Sequence, residues 1–197
     1  MYEDDKLKLI YLAREAEDYE LSRDGFGSFS FLVSAKDNIL MTPKDINRFD
    51  LRPDDIIVIS RTGEEVENIK GNKWPADTEF HLVSYDERDD SIDTVMHINP
   101  PNASLRADES HRIIFLSDCI DPADSETGDI AQLIKNPIKH RDCMLIKGNG
   151  ILIVGEGIFE SLDKAKYIEE IAKIKMPKDQ IHDYEHIQNI QEKNSKL

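Results

Sequence analysis

An α/β domain is the fold class this sequence predicts, on three observations. Helical stripes of apolar residues occur beside short apolar runs of strand length, and Asp, Asn, Pro and Gly turns separate the strand runs. The chain has 197 residues, 39% hydrophobic and 33% charged, enough to close one core without a second domain.

Leu9, Leu12, Ala13 and Ala16 recur at helical spacing among charges and predict an amphipathic helix that ends near Leu21 and covers a sheet. Strands follow at 26–34, 38–41 and 56–60, the last carrying the apolar run IIVIS. A helix is expected to start at Asp77, an Asx cap candidate, and a strand to run over 94–98. The second half predicts a strand at 113–116, a helix over 124–135 and a strand pair with a turn over 143–155. A last helix has Ser161 as N-cap and is stopped by Pro177, so residues 1–176 make the domain and 177–197 a tail. In that tail Ile181, Tyr184, Ile187 and Ile190 mark a weak helical stripe suited to packing on the body or on a neighbouring subunit.

Forty acidic against twenty-five basic residues give a net charge of -15, spread along the whole chain. That field repels polyanions, and the basic stretches at 135–141 and 164–178 are interrupted, so nucleic acid is not an expected partner. No apolar run reaches the ~20 residues of a membrane helix. With no secretory segment and no CxxC pair, Cys119 and Cys143 are expected as reduced, buried thiols in the cytoplasm.

Six segments in order carry a family resemblance: FGSFSF, ILMTPKDINRFDL with the RPDDIIVI that follows, GNKWPADTEFHLVSY, DTVMHINPPNASL and LIKGNGILIVG. Together they resemble the class II aldolase/adducin family from about Gly25 to Lys173. The resemblance implies a three-layer α/β/α domain around a largely antiparallel sheet. It also implies a homo-oligomer, a tetramer foremost, whose sites lie between subunits.

Enzymes of that family hold zinc with three histidines and polarise a carbonyl. Carried over position by position, the ligands fall on His97, Asn99 and Asn149, so one histidine of three is retained. Amide oxygens suit hard cations better than zinc. Tight zinc binding is therefore not expected, and an oxygen-rich site for another divalent cation stays open. Asp77 falls at the acid/base position, one methylene (~1.5 Å) shorter than the family's glutamate; capping its own helix is the structural alternative. The phosphate cradle departs as well, with Gly27-Ser28, Lys44-Asp45 and Pro75-Ala76 at its three elements. Ser28, Ser30, Thr42 and Lys44 remain as its residual donors, while Asp45 opposes an anion.

The other histidines carry weaker signals. His81 reads as a packed or solvated helix residue, His182 and His186 lie four apart on one helical face, and His111 and His140 have no assignable partner. Two functions are compatible with these residues. One is a binding or assembly module without zinc-dependent aldolase activity, as adducin is within the family. The other is a metal-assisted aldolase or epimerase acting on a small hydroxy-carbonyl compound through His97 and Asp77.

Overall fold

The computed structural model describes residues 2–22, 26–33, 35, 37–88, 91–108, 119–124 and 130–173. Among the described residues eight strands form one sheet: β1 (Ser28–Val33), β2 (Asn38–Met41), β3 (Ile57–Ser60), β4 (Glu65–Glu67), β5 (Thr94–Ile98), β6 (Cys119–Asp124), β7 (Cys143–Lys147) and β8 (Gly150–Gly155). Their order is β4-β3-β2-β1-β5-β8-β7-β6, antiparallel throughout except for the parallel pair β6–β7 at one edge. The α-helices of the described residues that cover it are α1 (Glu3–Asp18), α2 (Thr78–Arg88), α3 (Pro101–Asp108), α4 (Ile130–Ile138) and α5 (Ile158–Lys173).

The period-2 alternation of the strands sorts the apolar residues into two cores. Leu40, Val58, Met96, Leu145 and Ile153 meet α1, α3 and α5 on one face. Ile39, Ile57, Val95, Met144 and Leu152 meet Phe80 and Tyr85 of α2 and Ile134 and Ile138 of α4 on the other. The result is the expected three-layer α/β/α arrangement around a largely antiparallel sheet. Among the described residues no helix is long and apolar enough to cross a membrane.

Several element ends differ from the sequence reading for local reasons. Helix α1 stops at Asp18 because Glu20 turns left-handed (φ 56°), Glu20 N–H bonds Glu17 O, and Leu21 N–H bonds Ala16 O, a Schellman closure. Ser161 is not an N-cap. Helix α5 begins three residues earlier, Ser161 N–H bonds Gly157 O, and the side chain is wholly buried inside the first turn. Helix α4 runs past Lys135 and through Pro137, because Ile134 and Ile138, four apart, are both fully buried. The strand expected at 113–116 and the tail 177–197 lie outside the described residues.

Strand β6 has no counterpart in the sequence reading, and neither do β4 and α3. Strand β4 is a three-residue edge without an apolar run, tied to α1 by the ion pair of the buried Lys6 with Glu67. Helix α3 opens with Pro101, and its N-terminal donors are satisfied from another helix. The Glu169 carboxylate of α5, 5% exposed, accepts Asn102 N–H at 3.1 Å, Ala103 N–H at 2.9 Å and Asn102 Nδ2 at 2.6 Å. Glu169→Ala strands those buried donors and is expected to lower stability by about 2–3 kcal/mol in urea unfolding. Glu169→Gln should lose less, and a Gln variant as stable as the parent would show that the carboxylate charge adds nothing.

Candidate functional site

The site lies at the middle of the sheet, where the start of β1 meets the end of β5. Their antiparallel register sets Ser28 beside His97 and Ser30 beside Val95 on the face toward α2. The backbones approach so closely there that a Cβ on Gly27 (φ 90°) would lie 2.5 Å from His97 O. Across the β7–β8 hairpin, a Cβ on Gly150 (φ 76°) would lie 2.0 Å from Asn99 Oδ1, so the turn brings Asn149 against the segment after β5.

A cavity of about 830 Å³ opens over this point, and its wall includes Lys44, Asn47, Asp77, His97, Asn99 and Asn149. The three positions matched to family metal ligands are thus brought together with Asp77. Phe80 closes the floor, its ring edge-on to His97 at 5.1 Å. Among the described residues no group of three or more His, Cys, Asp or Glu side chains is gathered in a way that could hold a metal ion.

Helix α2 starts at Thr78, one residue after the expected start, and the carboxylate of Asp77 just before it is turned to the sheet. Oδ2 accepts from Ser28 Oγ at 2.5 Å and from His97 Nδ1. Burial alone would raise this carboxyl; the hydrogen bonds from His97 and Ser28 outweigh it and hold Asp77 well below the usual carboxylate range. The other nitrogen of His97, Nε2, meets the Asn149 backbone carbonyl at 2.6 Å. A carboxylate and a carbonyl are both acceptors, so both contacts are hydrogen bonds only when both ring nitrogens carry hydrogen.

Three of the four residues read as anion donors do not face the cavity. Ser28 is wholly buried between Asp77 and His81, and Ser30 between His81 and Tyr85. Thr42 Oγ1 accepts Phe29 N–H at 3.1 Å within the β1–β2 pairing. The reason is strand parity: Ser28 and Ser30 alternate with Phe29 and Phe31, and the serine side is roofed by α2. Lys44 is exposed and lines the cavity, while the neighbouring Asp45 pairs with Lys73 at 3.4 Å. Pro75 and Ala76 also line it.

His81, read as an ordinary helix residue, is wholly enclosed, with Nε2 2.7 Å from Ser28 Oγ and Nδ1 2.7 Å from Ser30 Oγ. Tyr85, which the sequence reading does not single out, places its hydroxyl 2.8 Å from Ser30 Oγ. The signal that could have found both is S-x-S on a strand facing D-x3-H-x3-Y on a helix, a period of two against a period of four. His140 is exposed beyond α4 and away from the cavity, Cys143 is buried, and His111, His182 and His186 lie outside the described residues.

Residues 7–176 match the family model of the Class II Aldolase and Adducin N-terminal domain, and the chain belongs to that family. It is 25% identical over 177 residues to the 5-methylthioribulose-1-phosphate/5-deoxyribulose-1-phosphate aldolase of Rhodospirillum rubrum, covering 84% of this chain and 77% of that one. Its fold is similar to a solved L-fuculose 1-phosphate aldolase, with TM-score 0.76 and 20% identity over 94% of this chain and 96% of the other. The L-fuculose-1-phosphate aldolase of Thermus thermophilus gives a TM-score of 0.71 at 16% identity, covering 96% and 98%.

Burial pushes the His81 imidazole down to about 4, against the opposing pull of Asp77, so it is neutral at pH 7. The unfolded chain takes up that proton near pH 6.5, and the folded chain only near 4. Stability contributed above pH 6.5 is therefore lost as pH falls from about 6.5 to 4, and Asp77, ionised in the fold, adds further loss at lower pH in the same direction. His81→Gln is expected to flatten the urea-unfolding stability between pH 6.5 and 4.5 by roughly 1–3 kcal/mol relative to the parent chain. Parallel pH profiles would contradict the assignment.

Proposed function

We propose that this chain is a binding member of its family: its cavity takes a small, unphosphorylated hydroxy-carbonyl compound, and it does not run zinc-dependent aldol chemistry. The observation that carries this reading is His97. Zinc takes a lone pair from a neutral imidazole nitrogen, whereas Nδ1 faces the Asp77 carboxylate and Nε2 faces the Asn149 carbonyl. The other two ligand positions, Asn99 and Asn149, offer neutral amides. This donor set does not fit zinc.

Loss of the phosphate in the ligand follows from the wall. The Rhodospirillum relative and the two fuculose-phosphate neighbours are named for phosphorylated substrates. Here Ser28, Ser30 and Thr42 are committed elsewhere, and Lys44 stands beside Asp45, with Asp77 adding a second negative charge to the same cavity. Asn47, Asn99 and Asn149 supply donors and acceptors suited to hydroxyl groups. A homo-oligomer, a tetramer foremost, in the cytoplasm accords with the family resemblance, and the net charge of -15 speaks against nucleic acid.

A second reading is supported by Asp77, which is held ionised in the cavity wall. In an enzyme of this kind it would accept a proton from the carbon beside a carbonyl, with an oxygen-liganded cation drawn from Asp77, Asn99 and Asn149. Calorimetric titration of tag-free protein with Zn²⁺ and Mn²⁺ separates the two. The binding reading expects no stoichiometric zinc in the parent chain and a gain of at least about a hundredfold in zinc affinity on the double substitution N99H/N149H. Stoichiometric zinc in the parent chain would overturn it, and heat with Mn²⁺ alone would favour the second reading.

A further inference from the structure

Strand β1 and helix α2 interleave a single row of polar groups. Ser28 and Ser30, two apart on the strand, stand ~6.8 Å from one another on the face toward α2. Asp77, His81 and Tyr85, four apart, rise ~6 Å per step along the start and body of the helix. The result is an alternating row, Asp77–Ser28–His81–Ser30–Tyr85, with contacts of 2.5, 2.7, 2.7 and 2.8 Å. Ser28, Ser30, His81 and Tyr85 are all fully buried, so the phosphate-donor role read from the sequence for the two serines does not account for the row.

The row has one direction. Ionised Asp77 only accepts, so Ser28 must give its hydrogen to Oδ2. With that hydrogen spent, Ser28 Oγ can only accept, and the donor is His81 Nε2–H. Neutral His81 then presents Nδ1 as an acceptor, which takes the hydrogen of Ser30. Ser30 in turn accepts from the Tyr85 hydroxyl, whose contact with the Asp93 carbonyl is longer, at 3.2 Å. Every hydrogen points toward Asp77.

We propose that Ser28, Ser30, His81 and Tyr85 are positioning residues. Their chain, with His97, holds Asp77 by Oδ2 and turns Oδ1 to the cavity as the oxygen that receives a proton or hydroxyl hydrogen from a small hydroxy-carbonyl ligand. The role of Oδ1 rests on the reading of the cavity as a site for that ligand class; the direction of the chain does not. A carboxylate pinned by two donors on one oxygen loses its free rotation, which favours ligand binding in one orientation.

The test is the tautomer of His81, read from ¹⁵N–¹H correlation spectra of the ¹⁵N-histidine-labelled full chain at pH 7. The expected state is neutral, with hydrogen on Nε2 and a bare Nδ1. Ser28→Ala should mix the tautomers and Ser28→Thr should restore the Nε2–H form, a rescue that a merely space-filling role would not require. Hydrogen on Nδ1 in the parent chain, or a tautomer unmoved by Ser28→Ala in a folded protein, overturns the proposal. Where Ser28→Ala does not fold, the parent chain and Ser28→Thr still decide it. Dihydroxyacetone serves as the ligand probe: S28A is expected to weaken its binding about tenfold while S28T does not. Equal binding by both variants overturns the role of Oδ1. A parent chain with the Nε2–H tautomer that binds no dihydroxyacetone overturns the cavity reading instead.

Discussion

The antiparallel pairing of β1 with β5 is the constraint on which the rest of the molecule depends. It places Ser28 against His97 at the centre of the eight strands, and Gly27 lets the backbones come close enough to do so. A slip of one residue would exchange the two faces of β1. Phe29 would leave the core under α1 and α5, and the serines would lose α2. Core packing and site geometry are therefore enforced by the same register.

Polar groups this deep are tolerated because each is matched. Around Ser28, Ser30, His81 and Tyr85 lie Leu32, Val95 and Phe80, an environment in which an orphaned hydroxyl or imidazole costs about 1–3 kcal/mol. Completing the row removes that cost, and it has a chemical consequence. Of the two His97 nitrogens, Nδ1 faces the Asp77 carboxylate and Nε2 the Asn149 carbonyl, so either one could ligate a metal only by giving up its present contact. The fold of the family is kept here around that arrangement.

Legibility in the sequence followed periodicity. Strands β2 and β5 fall on the residues expected, and β1, β3, β7, β8, α1 and α2 fall within a few, because alternating or helical burial is written locally. Helix α3 escapes a sequence reading because its cap is not in its own segment: Pro100 and Pro101 suggest a loop until Glu169, far along the chain, satisfies the N-terminus. Ser161 misleads for the converse reason, a good capping residue drawn inside the helix once the Gly155–Gly157 turn lets the chain bend earlier. At the site, position matching brings His97, Asn99, Asn149 and Asp77 to one cavity, yet it assigns Ser28, Ser30 and Thr42 to a ligand they do not face.

By itself the sequence determined which family fold the chain adopts and that His97, Asn99, Asn149 and Asp77 stand in the segments that resemble the family's site, since residue identity and spacing are properties of the chain alone. Only the tertiary structure decided where those side chains spend their hydrogen bonds. The partners of Asp77 are Ser28 and His97, 49 and 20 residues away, and the partner of His97 Nε2 is a backbone carbonyl 52 residues on. A backbone acceptor leaves no mark in a side-chain pattern, and long-range pairing is fixed by strand register and helix placement.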